Sequence, residues 1–317
     1  MPGVGKKKPI RQQEDIKMAF RAFAKKICNC INVVLEKFDL TLQKGSNNFI
    51  TDCCYLPYEV EYESSPDNIE KMLEHTASIW GGYGQNETYW SVLTSDSYLE
   101  KNLDKNNIDK FYDTGKDMML QIENSLRRCG EWGNISFQDC MEYGCGVGRV
   151  TMQLSKIFTN VTGLDISAGH LELAKQRMDC VGIKNVCFQK IESLHELKQL
   201  PKYDFIYSII VLQHNPPPVI AIIIDTFFKL LKVNGIVMFQ VPVQIKDYSF
   251  SVSDYLANME KYDSMEMHML PQDKILKIGR ENNCYLLECH NDGWVGQPNI
   301  MVSQTFLFKK SDGKIHN

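Results

Sequence analysis

From residue 109 onward, short apolar segments alternate with longer segments whose apolar residues recur at helical spacing. The first pattern is typical of buried strands, and the second is typical of amphipathic helices. Chains in which strands alternate with helices form a mostly parallel sheet that is covered by helices on both faces. This pattern therefore predicts a doubly wound α/β fold.

The predicted elements include seven strands. They are expected at residues 139–143, 160–165, 185–190, 203–209, 235–241, 284–290 and 300–309. Helices are expected between them at residues 109–129, 148–158, 167–180, 217–231 and 271–282.

Residues 1–108 do not follow this alternation. Residues 1–26 carry a net charge of +6, although the whole chain carries −4. Helical periodicity follows over residues 13–38, and another helix is expected over 66–79. We predict a basic arm and a helical extension or lid over residues 1–108, joined to a main domain over 109–317. The basic helix could contact a membrane surface peripherally, pack on the main domain, or form an oligomer contact.

Composition narrows the functional classes. No apolar run approaches the roughly 20 residues that span a bilayer, and the N-terminus lacks the pattern of a secretory signal, so we expect a cytoplasmic protein. The eleven cysteines contain no C-x-x-C pair, which predicts reduced thiols and no structural zinc. The negative charge of the main body argues against a nucleic-acid surface there.

The segment "EYGCGVGRVT" (142–151) places three glycines between the first strand and the next helix. A turn without side chains at the carboxyl end of a strand lets main-chain N–H groups approach a ligand closely. Dinucleotide sites use G-x-G-x-x-G, whereas Gly144, Gly146 and Gly148 give G-x-G-x-G, followed by Arg149. This spacing disfavours a nicotinamide cofactor.

Asp165 ends the second predicted strand in "VTGLDIS", 21 residues after Gly144. A carboxylate at that place can accept hydrogen bonds from both hydroxyls of a ribose. An aspartate before a helix can also be only an N-cap. The order and spacing of the glycines and Asp165 favour a ribose-containing ligand.

With these motifs, residues 109–310 resemble the class I S-adenosylmethionine-dependent methyltransferases, which have a Rossmann-like fold. The matching segments are "MEYGCGVGR", "VTGLDIS", "IES", "YDFIYSIIVLQHNPP" and "LLKVNGIVMFQVP". The resemblance implies S-adenosyl-L-methionine as cofactor and S-adenosyl-L-homocysteine as product. It further implies the cofactor contacts, which fall at Glu142, Gly144, Gly146 and Gly148 (methionine part), Asp165 with Ile166 (ribose), Ile191 and Glu192 (adenine), and the main chain near Ile210 (sulfonium).

Two further residues could belong to the cofactor site. Arg149 could pair with the carboxylate of the cofactor, or it could be a solvated residue in the first turn of its helix. Tyr89, in the Gly-rich segment "WGGYGQNETYW", could belong to a lid over the cofactor, or it could be a packing residue.

Two histidines are candidate catalytic bases, because methyl transfer to a hydroxyl requires the loss of its proton. His214 follows the fourth predicted strand at the ligand-binding edge, and histidine titrates near neutrality. It could also be structural and bind a loop carbonyl. His268 lies in the insertion after the fifth strand, where it could cap the acceptor pocket.

The resemblance predicts methyl transfer to a small molecule. The segments "ETYWSVLT", "FYDTG" and "LQHNPP" resemble bacterial methyltransferases of glycan biosynthesis, so we expect a hydroxyl of a sugar or glycan precursor as acceptor. Two alternatives remain at this point. One is a catalytically inactive, methyltransferase-like binding module, and the other is a nucleotide-dependent enzyme that uses the same turn.

Overall fold

The computed structural model describes residues 59–296 and 299–313, which contain a sheet of seven strands. The strands are β1 (Asp139–Tyr143), β2 (Asn160–Asp165), β3 (Val186–Lys190), β4 (Tyr203–Ser208), β5 (Leu231–Ile245), β6 (Cys284–Asp292) and β7 (Met301–Lys310). Their order is β3-β2-β1-β4-β5-β7-β6, with β1 to β5 parallel and β7 antiparallel to both of its neighbours. The predicted doubly wound, mostly parallel sheet is confirmed.

Nine α-helices accompany the sheet over the described ranges. They are α1 (Pro66–Asn86), α2 (Thr88–Val92), α3 (Lys105–Arg128), α4 (Thr151–Leu154), α5 (Ala168–Cys180), α6 (Leu194–Lys198), α7 (Pro217–Leu230), α8 (Val252–Ala257) and α9 (Gln272–Glu281). The helix predicted over 148–158 is reduced to α4, a single turn, because the preceding residues form the glycine turn.

The sheet is buried on both faces by apolar side chains. Phe227 and Phe228 of α7 pack against aromatic residues of β5 and β7 on one face, among them Phe239 and Phe308. The apolar side of α3, which includes Ile122, covers the other face. Because helices cover both faces, the carboxyl edge of the parallel strands is the place where a ligand can enter.

Helix α1 crosses α5 at a pair of glycines. A Cβ atom on Gly169 would lie 2.1 Å from the carbonyl oxygen of Gly84, and one on Gly84 would lie 2.0 Å from Oγ of Ser167. Side chains cannot be accommodated at such distances, so both positions require glycine. This close approach brings α1 and α2 to the carboxyl edge of the sheet.

The expected division between residues 108 and 109 falls inside α3, which begins at Lys105. Met72 and Leu73 of α1 also belong to the same buried cluster as the sheet residues Met141 and Ile206. The helices that precede residue 109 therefore share a hydrophobic core with the sheet.

The predicted basic arm and the helix over 13–38 lie outside the described residues. Within residues 59–296 and 299–313, we find no helix that is both long and apolar enough to cross a membrane.

Candidate functional site

The glycine turn connects β1 to α4 and adopts a backbone conformation that favours glycine. The φ angles of Gly144, Gly146 and Gly148 are +73°, +53° and +80°. A Cβ atom on Gly146 would lie 2.9 Å from Cγ2 of Val92, and one on Gly144 would lie 2.3 Å from Cγ2 of Val211. The turn thus needs glycine both for its conformation and for the space in front of it.

Asp165 joins this turn to the end of β2. Its Oδ2 accepts a hydrogen bond of 2.8 Å from the N–H of Gly146, and its Oδ1 accepts one of 2.9 Å from the N–H of Ser167. Each oxygen retains a second lone pair, because a carboxylate has about four acceptor positions. The N-cap position of α5 itself belongs to Ser167.

A cavity of about 850 Å³, including its open mouth, lies between the glycine turn, the loop after β4 and the helices α1 and α2. Eight of the residues predicted for the site line it, namely Glu142, Gly144, Gly146, Arg149, Asp165, Ile166, Ile210 and His214. The fold thus brings together predicted residues from three separate segments of the chain, 142–149, 165–166 and 210–214.

Five other predicted residues lie outside the lining of this cavity. Gly148 faces α5, where a Cβ atom would meet Met178. Tyr89 packs edge-on against an aromatic neighbour, Phe111, with ring centroids 5.1 Å apart. The other three are Ile191, Glu192 and His268, which line neighbouring depressions of the surface.

Ile191 and Glu192 line a groove that adjoins the cavity at Ile166, since Ile166 belongs to both. The groove lies between α1 and the end of β3. Ile191 is buried, whereas the carboxylate of Glu192 is exposed and 3.0 Å from Nζ of Lys190. The residues that the resemblance assigns to the two ends of one cofactor therefore lie in adjoining spaces.

A cluster of buried polar side chains occupies the wall of the cavity near β1 and β4. Glu142 and Tyr207 are neighbours on these strands, and Arg149 follows the glycine turn. Burial raises the pKa of Glu142 to about 8, opposed by a hydrogen bond from Thr151 and by the charge of Arg149. Nε of Arg149 and the hydroxyl of Tyr207 are buried without a hydrogen-bond partner. Such atoms are costly unless a ligand or water satisfies them.

His214 lies in the loop after β4, and residues that are distant in the sequence hold its ring. Its Nδ1 is 2.9 Å from the carbonyl oxygen of Glu266, and its ring centroid is 5.0 Å from that of Trp80. A carbonyl oxygen only accepts, so Nδ1 carries the proton and Nε2 presents a lone pair. Burial lowers the pKa of His214 to about 4, so the ring is neutral at physiological pH.

His268 does not line the cavity that contains His214. Its Nε2 is 2.8 Å from Oε2 of Glu266, and its Nδ1 is 2.7 Å from the hydroxyl of Tyr248. The main-chain N–H of His268 donates to the carbonyl oxygen of Gln213, which precedes His214. His268 thus supports the loop of His214 from a separate, acidic cavity, rather than facing the glycine turn.

Trp80, Ser91 and His170 are among the cavity residues that the sequence did not predict. Trp80 and Ser91 come from the N-terminal helices, and His170 comes from α5. Nε2 of His170 is 2.9 Å from Oγ of Ser91, although 79 residues separate them. The sequence gives His170 no second ligand at metal spacing, so its contact with Ser91 appears only in the fold. A signal in the sequence was the Gly-rich segment "WGGYGQNETYW", which begins at Trp80 and ends directly before Ser91.

Comparisons with known proteins agree with this architecture. A protein-family model described as a methyltransferase domain matches residues 138–289, which contain the glycine turn, Asp165 and His214. Residues 138–289 are thus similar to a methyltransferase domain, and the comparisons support the resemblance to the class I S-adenosylmethionine-dependent methyltransferases.

The similar curated proteins act on different acceptors according to their names. Malonyl-[acyl-carrier protein] O-methyltransferase of Bacillus cereus is 27% identical over 179 residues, which cover 54% of this chain and 62% of that protein. Ubiquinone biosynthesis O-methyltransferase of Proteus mirabilis is also 27% identical, over 51% of this chain and 71% of that protein. The chain spans less than two thirds of the length of the first of these relatives.

Among solved structures, magnesium protoporphyrin IX methyltransferase of Synechocystis is 18% identical, with a TM-score of 0.48. The alignment covers 74% of this chain and 99% of that structure.

The residues of the cavity fit the cofactor of the family. The cofactor has an amino-acid end with both charges, a ribose and an adenine. The buried Glu142 and Arg149 can bind the charged end, and Asp165 can accept hydrogen bonds from ribose hydroxyls. Gly144 and Gly146 line the cavity with main chain alone, so no side chain of the turn projects into it at these two positions.

Proposed function

We propose that this protein transfers a methyl group from S-adenosylmethionine to a hydroxyl group of a small molecule. One observation carries the proposal: a single cavity contains the glycine turn, the carboxylate of Asp165 and a buried, neutral histidine, His214. The cofactor supplies a methyl group that is activated by a positively charged sulfur. The side chains need to bind and orient the reactants, exclude water and accept one proton.

We assign proton transfer to His214. The acceptor hydroxyl displaces the 3.3 Å contact that Nε2 of Gln213 makes with Nε2 of His214, and it gives its proton to the lone pair of that Nε2. Its oxygen takes the methyl group as the bond from that group to sulfur breaks, and the carbonyl oxygen of Glu266 stabilises the imidazolium through Nδ1–H. Trp80, which lies beside the ring, helps to exclude water from this end of the cavity. His268 acts only indirectly in this scheme, since it holds the segment that carries Glu266.

The acceptor that we propose is a hydroxyl of a sugar or glycan precursor. Two of the segments that resemble glycan methyltransferases contribute to the cavity, "ETYWSVLT" through Ser91 and Val92 and "LQHNPP" through His214 and Asn215. Another small metabolite is the alternative, because the named relatives methylate a malonyl carrier protein and ubiquinone precursors.

A panel assay tests this proposal. Purified protein is incubated with S-adenosylmethionine and either free sugars, nucleotide sugars, phenolic precursors or acyl carboxylates, and S-adenosylhomocysteine is measured. We expect product only with a hydroxylated sugar acceptor. Release of product only with phenols or carboxylates would refute the glycan assignment but keep methyl transfer. Cofactor binding without turnover on any acceptor would favour the binding-module alternative.

A further inference from the structure

Three buried polar side chains connect the centre of the sheet to the loop after β4. Gln240 lies on β5, Ser303 lies on β7 and Gln213 lies in the loop. They are 0%, 1% and 3% exposed, and none of them lines the cavity. This connection is unexpected in a strand whose neighbouring residues, Phe239 and Val241, are apolar and fully buried.

The side-chain amide of Gln240 makes three hydrogen bonds. Its Oε1 accepts from the N–H of Ile210 at 2.8 Å. Its Nε2 donates to Oε1 of Gln213 at 2.9 Å and to Oγ of Ser303 at 2.6 Å. Gln240 therefore holds the loop at two points and is itself anchored to β7.

The direction of these hydrogen bonds is fixed by the main chain. The N–H of Ile210 can only donate, so Gln240 must present its oxygen to Ile210 and its amide N–H groups to Gln213. Gln213 then directs its own Nε2 toward Nε2 of His214, at 3.3 Å. This orientation agrees with a proton on Nδ1 of His214, which the carbonyl oxygen of Glu266 requires independently.

Ile210 needs such support because its backbone is strained. Its φ angle is +61°, in the left-handed region. This conformation is unfavourable for a residue other than glycine, and strained residues persist only where the surroundings hold them. Ile210 also lines the cavity, so its position shapes the space available to a ligand.

We propose that Gln240 is a positioning residue that holds Ile210 and His214 in the geometry that cofactor binding and methyl transfer require. This inference rests on the proposed function, because it assigns a role to a residue behind the same cavity. If Gln240 only stabilised the sheet, an apolar side chain of equal length could replace it without a loss of ligand affinity. If Gln240 positions the loop, the same replacement should lower that affinity.

The test measures the affinity for S-adenosylhomocysteine by calorimetry, so it needs no acceptor. Gln240→Met keeps the length of the side chain and removes its hydrogen bonds. Gln240→Glu can keep the bond accepted from Ile210 and one donated bond, to Gln213, only while its carboxyl is protonated, because an ionised carboxylate cannot donate. Thr226→Val is the matched control, since it removes a buried hydroxyl that bonds only within α7. Each variant is compared with the parent at pH 6 and at pH 8.5, after a thermal melt.

We expect Thr226→Val to bind as the parent does and Gln240→Met to bind about tenfold more weakly, the effect of one lost hydrogen bond. Gln240→Glu should bind nearly as well as the parent at pH 6 and distinctly worse at pH 8.5, because burial raises the pKa of a carboxyl group. A merely structural role would lower melting temperatures without this pH dependence.

A folded Gln240→Met variant with parental affinity would overturn the inference while leaving the proposed function intact. If that variant does not fold, a Gln240→Glu variant whose affinity follows the parent at both pH values overturns it. A parent that does not bind S-adenosylhomocysteine at all refutes both the inference and the proposed function.

Discussion

The main-chain N–H of Gly146 donates a 2.8 Å hydrogen bond to Oδ2 of Asp165. This bond joins the turn after β1 to the end of β2, and the other carboxylate oxygen accepts from the N–H of Ser167. One side chain thereby fixes two walls of the cavity and still has lone pairs for a ligand. The glycine spacing and the aspartate, which are separate motifs in the sequence, are one structural unit in the fold.

Replacement of Asp165 should weaken cofactor binding. We expect Asp165→Ala to reduce the binding free energy of S-adenosylhomocysteine by about 1.5–3 kcal/mol, because a charged acceptor of hydrogen bonds is lost. Asp165→Asn should lose less, since one oxygen acceptor remains. Calorimetry provides the measurement. Parental affinity in both variants would mean that Asp165 only shapes the turn.

Gly146→Ala should impair binding beyond its effect on stability. The added Cβ atom would lie 2.9 Å from Cγ2 of Val92, which lines the cavity. At φ +53° it should also cost roughly 1–2 kcal/mol of folding free energy. Urea unfolding measures the stability and calorimetry measures the affinity for S-adenosylhomocysteine.

Gly130→Ala is the control for the Gly146 variant. Gly130 has φ +72°, and a Cβ atom there would meet nothing within 4 Å. Both variants should lose the stability that a side chain costs at a positive φ, and Gly146→Ala should lose more because of the contact with Val92. Only Gly146→Ala should lose affinity. Equal affinities in the two variants would show that Gly146 is needed for the backbone conformation of the turn and not for ligand binding.

The unpartnered atoms of Arg149 and Tyr207 predict recognition of the amino-acid end of the cofactor. We expect Arg149→Met and Tyr207→Phe each to lower the affinity for S-adenosylhomocysteine by about tenfold or more. Each substitution removes a hydrogen-bond donor to a charged group of the ligand. Methylthioadenosine, which lacks the amino-acid end, should bind both variants as it binds the parent. If both ligands lost the same affinity, these residues would not recognise the amino-acid end of the cofactor.

His214→Gln should lower turnover by roughly 10²–10⁴ and leave the affinity for S-adenosylhomocysteine unchanged, because general-base catalysis contributes a factor of that size. The sequence alone suggests a rate that rises through the ordinary histidine range. With its pKa lowered to about 4, His214 is already neutral there. The parental rate should therefore be independent of pH from about pH 5.5 to 7. This range lies above the pKa of His214 and below the pKa of Glu142, which is about 8, so neither group titrates within it.

The burial of His214 should also affect how the free energy of unfolding depends on pH. The folded state binds the proton of His214 less tightly than the unfolded state, so this contribution to stability is present above about pH 6.5 and is lost as the pH falls through about 4. Between these values, the stability of the parent should fall more steeply with acidification than that of His214→Gln. Urea unfolding measures these stabilities. If the stability of the two proteins fell in parallel with pH, or if the parental turnover rose near pH 6.5, the lowered pKa of His214 would be contradicted.

The sequence predicted the strands well and the details of the site less completely. β1 and β2 have the predicted bounds, because apolar runs that end at glycine or aspartate define them. The length of α4 was wrong, since the glycine turn uses residues that could otherwise be helical. Asp165 and the turn were identified from their spacing along the chain.

Features that depend on distant contacts could not be predicted from the sequence. Ser91 meets His170, and Gln240 meets Gln213, only through the packing of α1 on α5 and the register of the sheet. The lowered pKa of His214 likewise follows from burial. Sequence spacing therefore predicted residues of the glycine turn and Asp165 that line one cavity, whereas the hydrogen-bond network behind the loop after β4 required the fold.

The most direct test of the central claim follows the methyl group itself. The protein is incubated with S-adenosylmethionine that carries ¹³C in its methyl group, together with the acceptor panel, and the products are analysed by mass spectrometry. Methyl transfer predicts one acceptor that gains a single ¹³C-methyl group on a hydroxyl oxygen, at a rate that depends on His214. Binding of the labelled cofactor with no labelled product from any acceptor would contradict the claim.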